Sequence, residues 1–383
     1  MSALYIHIPY CKQRCIYCDF YSSATKEDKK DYIDALIQEF KERKSEVKEP
    51  IETLYIGGGT PTTLSKEEIS YLFKHILEEK ELYNLKEITI EANPENLSKD
   101  YIEYLKNHTP INRLSIGIQS FDNADLITIG RKHSKEDAIL AVKQAQELGF
   151  NNISIDLIYN LPQMDKEKWL KNLKTAKDLN IQHISAYSLT VEEKTILHKL
   201  IEKGELTLAK EDEQIEQYDL TITYLTNNGF EHYETSSFAH LNTETDNNTS
   251  LYRSKHNSSY WNNTPYIGIG ASAHSYNLEQ RRWNIANIKE YIQKIKNNLP
   301  YYEIENLSTK DKYNEYIIIG TRIKEGLNLT QIEANFPPTY ATHFQTQIKS
   351  LIEKNLIDKN HTNYRLTQEG EHIANTIAIE LMR

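Results

Sequence analysis

The chain contains three cysteines, and they stand together as Cys11-x3-Cys15-x2-Cys18. Thiolates are the natural ligands of iron–sulfur clusters. A short loop with these gaps can wrap three corners of an iron–sulfur cube and leave the fourth iron open to a small molecule, as catalytic metals keep an open position. An odd, clustered set argues for ligation rather than a disulfide framework. The alternative is a structural zinc on the three cysteines plus His7. It is disfavoured because structural zinc spacings normally come as two separated pairs. Tyr17, between the last two cysteines, is placed to shield a cluster.

Further residues with chemistry in reach follow at intervals. Gly57-Gly58-Gly59-Thr60-Pro61-Thr62 comes directly after a strand-like run. Glycines there let the backbone approach a ligand and expose N–H groups, although a lone triplet is usually only a tight turn. Glu91 in Glu91-Ala92-Asn93-Pro94, and Gln119, Arg131 and Asp156, read singly as solvated polar residues. Together they offer an anion for an amino group, a cation for a carboxylate and partners for hydroxyls, which is what a zwitterionic nucleoside needs.

These residues have to be carried by something regular. Leu4–Ile8, Thr53–Ile56, Glu87–Ala92, Arg113–Ile118, Asn152–Ile158 and His183–Leu189 read as six strands. Helical spacing between them is clear at Tyr32, Ile33, Leu36, Ile37 and Phe40, in the capping box that starts at Ser65, over Ser98–Asn107, and from Ser134 on. Six β-then-α units predict an α/β fold, a partial (β/α)6 barrel whose site lies at the C-terminal strand ends. The cysteines follow strand one, the glycines strand two and Gln119 strand four. Glu91 ends strand three and Asp156 lies late in strand five. This reading divides the chain into a barrel over 1–228, a turn-rich extension over 229–288 that includes Asp246-Asn247-Asn248 and His256–Thr264, and a mostly helical module over 289–383. The last ends in a β-like piece at Tyr364–Thr367 and suggests a winged helix.

Composition narrows the function classes. The 383 residues are 39% hydrophobic and 26% charged, with a formal charge of −10. That balance is globular, and the charge disfavours a nucleic-acid binder held by bulk electrostatics. No apolar run approaches membrane-span length, and the start MSALYIHIPY has no basic-then-apolar signal pattern, so a cytoplasmic protein is expected. The C-terminal module has no concentrated basic helix, which points to packing or a lid role rather than DNA binding.

Tyr5-Ile6-His7-Ile8-Pro9 running into the cysteines, then GGGTPT, ExNP and Arg113–Phe121, resembles the radical-SAM proteins of the coproporphyrinogen-oxidase group. The likeness continues through Gly130-Arg131-x-His133-Ser134, Asp156–Tyr159, Ser185–Leu189, Gly268–Ser275, Asn314-Glu315-Tyr316 and Leu366-Thr367, nearly the whole chain. Within that group it is similar to the haem-chaperone branch. Asp19-Phe20 stands where the dehydrogenase branch has a further cysteine, the chain begins four residues before Tyr5 and so lacks that branch's N-terminal extension, and His256–Trp261 matches an HNxxYW motif. The other branch, oxygen-independent coproporphyrinogen III dehydrogenase, is the alternative function.

The resemblance implies a radical-SAM barrel with a [4Fe–4S] cluster on Cys11, Cys15 and Cys18. It implies S-adenosylmethionine contacts from Tyr5, Gly58, Gly59, Thr60, Glu91, Gln119, Arg131 and Asp156, and a haem region at His256, Asn257, Tyr260 and Trp261. It also implies haem and apo-haem proteins such as respiratory cytochromes as partners, and leaves open a membrane-associated acceptor and a homodimer. Without it, His256 reads as a loop histidine satisfied by backbone. Two segments depart from the group's pattern. Asn160 and Gln163 replace glycines in LIYGLPGQ; the first change is mild, since asparagine can adopt the left-handed conformation of glycine, while the second leaves the shape of that loop open, and Ser237 replaces an asparagine in YEISNFA.

Overall fold

The computed structural model describes residues 2–24, 28–79, 82, 84–241 and 250–383. The Asp246-Asn247-Asn248 turn lies outside the described residues. Six strands follow one another as β1 (Ser2–Ile8), β2 (Ile51–Gly58), β3 (Glu87–Ala92), β4 (Arg113–Gln119), β5 (Ile153–Tyr159) and β6 (His183–Ser188). Each pairs in parallel with the next. Their outward residues, such as Leu54, Ile90, Leu114 and Ile155, are wholly buried under the helices. Their inward residues alternate with these and are largely polar, as a strand's period of two requires when one face is to form a site.

The segment after residue 229 completes both edges of this sheet. β7 (Phe230–Glu234) and β8 (Ser237–His240) add antiparallel beyond β6. β9 (Tyr266–Ile269) runs parallel to β1, and β10 (His274–Tyr276), β11 (Gln280–Asn284) and β12 (Tyr302–Asn306) extend from it. The twelve-stranded sheet is therefore open, ordered from β12 through β1–β6 to β7. Ile288, Tyr291, Ile295 and Tyr301 belong to this first core. A second core starts at Tyr313 and gathers Phe344, Ile348, Tyr364 and Leu381 around a small sheet of β13 (Leu327–Asn328), β14 (Ile357–Asn360) and β15 (Asn363–Leu366). Helices capped by a hairpin are the winged-helix-like arrangement expected. Among the described residues no helix is long and apolar enough to cross a membrane.

Two sequence departures resolve locally. Asn160 and Gln163 both adopt left-handed backbone, φ 61° and 63°. The loop after β5 thus keeps the conformation that glycines favour, at a strain of about 1 kcal/mol for a glutamine. Asn160 is further held by its backbone N–H to Gln217 Oε1 (3.0 Å) and its amide to Ser188 Oγ (2.9 Å). Ser237, in β8, supports the Glu234 carboxylate through its hydroxyl.

Candidate active site at the C-terminal end of the sheet

A cavity of about 560 Å³ opens at the C-terminal ends of β1–β6. Cys11, Cys15 and Cys18 form one wall, on the loop that leaves β1. Burial pushes the Cys11 and Cys18 thiols up. The loop is pinned by Cys18 N–H to Cys15 O (3.3 Å) and by the Arg14 guanidinium to Cys18 O (3.2 Å). His7 is not available as a fourth zinc ligand. Its Nδ1 accepts from Tyr5 OH (3.1 Å) and its Nε2 donates to Tyr21 O (3.1 Å), inside the sheet. Among the described residues no three His, Cys, Asp or Glu side chains close to the spacing of a single metal ion. Three soft donors spread along one wall fit a cluster, which is larger than an ion.

The glycine run presses on that loop. Gly59 donates its N–H to Ile8 O (2.9 Å), and a Cβ there would lie 2.9 Å from Tyr10 O and 3.0 Å from Cys11 Sγ. Gly58 has φ 115°, outside the reach of ordinary side chains, and lies against the His7 ring. The Thr60 hydroxyl reaches Cys11 Sγ at 3.5 Å. The glycines therefore serve the close approach of β2 to the thiol loop, and Gly58, Gly59 and Thr60 also line the cavity.

Glu91 faces the cavity from β3. Its Oε1 accepts from Tyr55 OH (2.8 Å) and its Oε2 from Gly58 N–H (3.0 Å). Burial, with the nearby Asp156 charge adding, pushes it up to about 7 in spite of these donors. Asp156 is pushed up to about 6 by burial, against the Ser185 hydroxyl and the Arg113 and Arg131 charges. It sits mid-strand in β5, earlier than expected. Arg131 stretches between Asn93 Oδ1 (2.8 Å), Gly117 O (2.5 Å) and Cys15 Sγ (3.5 Å). Gln119 closes β4 at φ 71° after a register shift against β5, and this bulge turns its side chain inward. A floor of two carboxyls, one guanidinium and an amide thus faces the three thiols across one cavity.

Tyr5 is not on the cavity wall. It stacks on Tyr55 (centroids 6.1 Å apart) and its hydroxyl goes to His7. The HNxxYW segment is a helix, Lys255–Trp261, rather than a loop. Ser254 caps it, and Glu87 at the start of β3 accepts from the Lys255 (3.0 Å) and His256 (2.9 Å) N–H groups. Asn257 from this helix reaches the cavity. His256 does not. It is 1% exposed, hydrogen-bonded through Nδ1 to Thr53 Oγ1 and through Nε2 to Tyr260 OH, both 2.9 Å. Burial and the Arg113 charge lower it to about 3, so the ring stays neutral. Its partners are side-chain hydroxyls, not backbone as the sequence alone suggested. Tyr260 packs edge-on to it and to Tyr266, and Trp261 is half-buried outside the cavity. Sequence reading missed Tyr55 and Asn93, which hold Glu91, Arg131 and Thr60 in place. Asn93 was signalled by its place in the Glu91–Pro94 motif. Tyr55 was signalled only by pointing to the same face as Gly57. Phe20, 72% exposed, also stands on the cavity wall.

A three-thiol loop on an open parallel barrel, facing carboxyls and a guanidinium across one cavity, defines the radical-SAM class of protein. Residues 5–176 match the Radical SAM superfamily and residues 307–371 match the HemN C-terminal domain. The chain is 34% identical over 381 residues to the "Heme chaperone HemW" of Bacillus subtilis (strain 168), covering 98% of each. It is 34% identical over 377 residues to the protein of that name from Lactococcus lactis subsp. lactis (strain IL1403), covering 98% of this chain and 96% of the other. The solved coproporphyrinogen III oxidase HemN of Escherichia coli, a radical SAM enzyme, shares the fold with TM-score 0.83 at 24% identity, over all of this chain and 90% of that one. The chain belongs to the HemW haem-chaperone family.

Proposed function

We propose that this chain binds haem and delivers it to apo-haem proteins such as respiratory cytochromes, while carrying a [4Fe–4S] cluster and S-adenosylmethionine. The observation that carries this reading is 34% identity with a HemW protein over 98% of each chain. Cys11, Cys15 and Cys18 hold the cluster, which when bound supplies one open iron and an electron. Glu91 receives the ammonium of the nucleoside ligand, Arg131 its carboxylate, and Asp156 and Gln119 its hydroxyls, with Gly58, Gly59 and Thr60 at its edge. Arg131 is already tied to Asn93, so it is presented in one orientation.

His256, Asn257, Tyr260 and Trp261 form the haem region. The neutral His256 ring has both nitrogens engaged, so bonding to haem iron requires Tyr260 OH to leave Nε2. Asn257 couples that helix to the cavity. This reading takes the cytosol as the site of action and leaves open a membrane-associated acceptor and a homodimer.

The test uses one anaerobically reconstituted sample. Iron and labile sulfide, one haem per chain and no protoporphyrinogen from coproporphyrinogen are expected. Robust coproporphyrinogen turnover would instead establish the dehydrogenase reading, and zinc in place of iron would remove the cluster.

A further inference from the structure

The twelve-stranded sheet ends in two different ways. At β7 the edge is sealed. Glu234 bridges to Ile323, Thr235 N–H donates to Arg322 O (2.9 Å) and Lys324 N–H to Tyr233 O (3.0 Å). At β12 it is open. Every residue of Tyr302–Asn306 is exposed, and among the described residues no segment pairs with its outer side. The ladder with β11 fixes which backbone groups face out. Ile285 N–H donates to Tyr301 O and Leu307 N–H to Glu279 O, both 2.9 Å. In this antiparallel pair the odd-numbered residues 301–307 therefore turn their backbone groups to β11, and Tyr302, Ile304 and Asn306 turn theirs away. Three N–H and three C=O groups in a row can receive one more strand.

The side chains select what kind of strand that is. Tyr302 (37% exposed) and Ile304 (48%) share one face, and Leu278 and Leu299 stand exposed near the two ends of β12. Glu303 and Glu305 share the other face. Among the described residues no cation holds their carboxylates, because the nearby ones are engaged elsewhere: Arg281 with Glu315, Arg282 with Glu46 and Lys312 with Glu279. Edge charges of this kind deter self-pairing. Every antiparallel register that engages two or more of Tyr302, Ile304 and Asn306 on each of two copies sets glutamate against glutamate, at the closely spaced positions of the ladder. A second copy of the chain is thus disfavoured, and a strand with cations at those positions is favoured.

We infer that β12 is a docking edge for an extended segment of a partner protein that carries Lys or Arg at alternate positions with apolar residues between them. The added strand bonds to the outward groups of Tyr302, Ile304 and Asn306, lays its apolar side chains beside Tyr302 and Ile304, and sets its cations beside Glu303 and Glu305. Neither haem nor the cluster enters this contact, so it stands apart from the proposed haem delivery.

The test titrates the full-length chain with a short peptide alternating valine and lysine and, separately, with one alternating valine and glutamate, and reads amide hydrogen exchange residue by residue. The lysine peptide is expected to bind, to weaken as salt is added, and to slow exchange at Tyr302, Ile304 and Asn306. Glu303 and Glu305, already bonded to β11, should change little. Ile304→Pro removes one outward N–H and leaves the ladder with β11 intact, and is expected to weaken the lysine peptide roughly tenfold or more. Glu303→Lys with Glu305→Lys is expected to reverse the preference toward the glutamate peptide, and decides the matter alone if Ile304→Pro does not fold. Absence of slowed exchange at this edge, equal binding of the two peptides by the parent, or lysine-peptide binding that folded Ile304→Pro leaves unchanged overturns the inference. Slowed exchange at the same three amides on concentrating the chain alone, abolished by Ile304→Pro, would assign the edge to a second copy and overturns it as well.

Discussion

Glu91 is a carboxyl held near 7 by burial, and it faces a site proposed to take a cation. Its folded value lies above the unfolded one of about 4.5, so the folded chain keeps a proton that the unfolded chain has lost. Stability of the ligand-free protein therefore falls as pH rises from about 4.5 through 7 and levels off above that. Asp156 contributes in the same direction between about 4 and 6. Urea unfolding at pH 5 and pH 8 is expected to show the difference, and Glu91→Gln to remove about 1–3 kcal/mol of it. Identical pH dependence in parent and variant would refute this. Affinity for an ammonium-bearing ligand runs the other way, tightening as Glu91 ionises. At His256 the expected outcome is a split. His256→Ala leaves Thr53 and Tyr260 hydroxyls buried and unpaired, and is expected to cost about 2–4 kcal/mol in denaturant unfolding. Tyr260→Phe costs less and frees Nε2, so haem titration should be as tight as in the parent or tighter if that nitrogen meets iron. Weaker haem binding in Tyr260→Phe would take the ring out of the axial role.

At the scale of elements, caps and strand ends were readable and loop conformations were not. Ser65 and Ser134 open their helices with the reciprocal side-chain and backbone bonds that their spacing to Glu68 and Asp137 announces. The left-handed turn at Asn160 was readable from its residue type, but Gln163 was not, because a glutamine occupies left-handed backbone only when its surroundings compel it. Gln217 and Ser188 further hold Asn160 in place. Gln163→Gly is expected to raise stability by about 1 kcal/mol, since φ 63° costs glycine little. Thermal or urea unfolding would check this, and a destabilised variant would show that the glutamine makes a compensating contact. Gly59→Ala sets the added methyl against Tyr10 O and Cys11 Sγ. The thiol loop must then shift, and iron incorporated on reconstitution is expected to fall severalfold while far-ultraviolet circular dichroism stays that of the parent. Unchanged iron loading would show that the loop yields without cost.

At the scale of the molecule, a small ionic node is one of several links between the two cores, beside Arg281–Glu315, His372–Asp219 and Tyr218–Glu371. Glu231 in β7 is 2% exposed and meets Arg253 (2.7 Å) and Lys324 (2.6 Å), the latter just beyond the first helix of the second core. Burial raises this carboxyl, but Arg253, Lys324 and Ser250 N–H outweigh it and hold it down to about 2. Its stabilisation is complete above the unfolded value of about 4.5 and is lost as pH falls through 2, opposite in sign to Glu91. Glu231→Ala is expected to cost about 1–3 kcal/mol, less than a fully dry pair because Arg253 and Lys324 keep contact with water. It should also make the chain more readily cut between the two cores in limited proteolysis. A cleavage pattern and unfolding midpoint equal to the parent's would show that the other links hold the two cores without it.

The sequence alone determined the thiol loop, the six β-then-α units and Glu91 near the end of its strand, because ligand spacing and strand alternation are local properties. Tertiary structure decided what distant segments do to one another. It sent the stretch after residue 229 to both edges of the sheet, turned the HNxxYW run into a helix with His256 buried, took Tyr5 off the cavity wall and brought Tyr55 and Asn93 onto it. Those outcomes depend on register between strands far apart in the chain, and a residue's own neighbours carry no record of which strand will lie beside it.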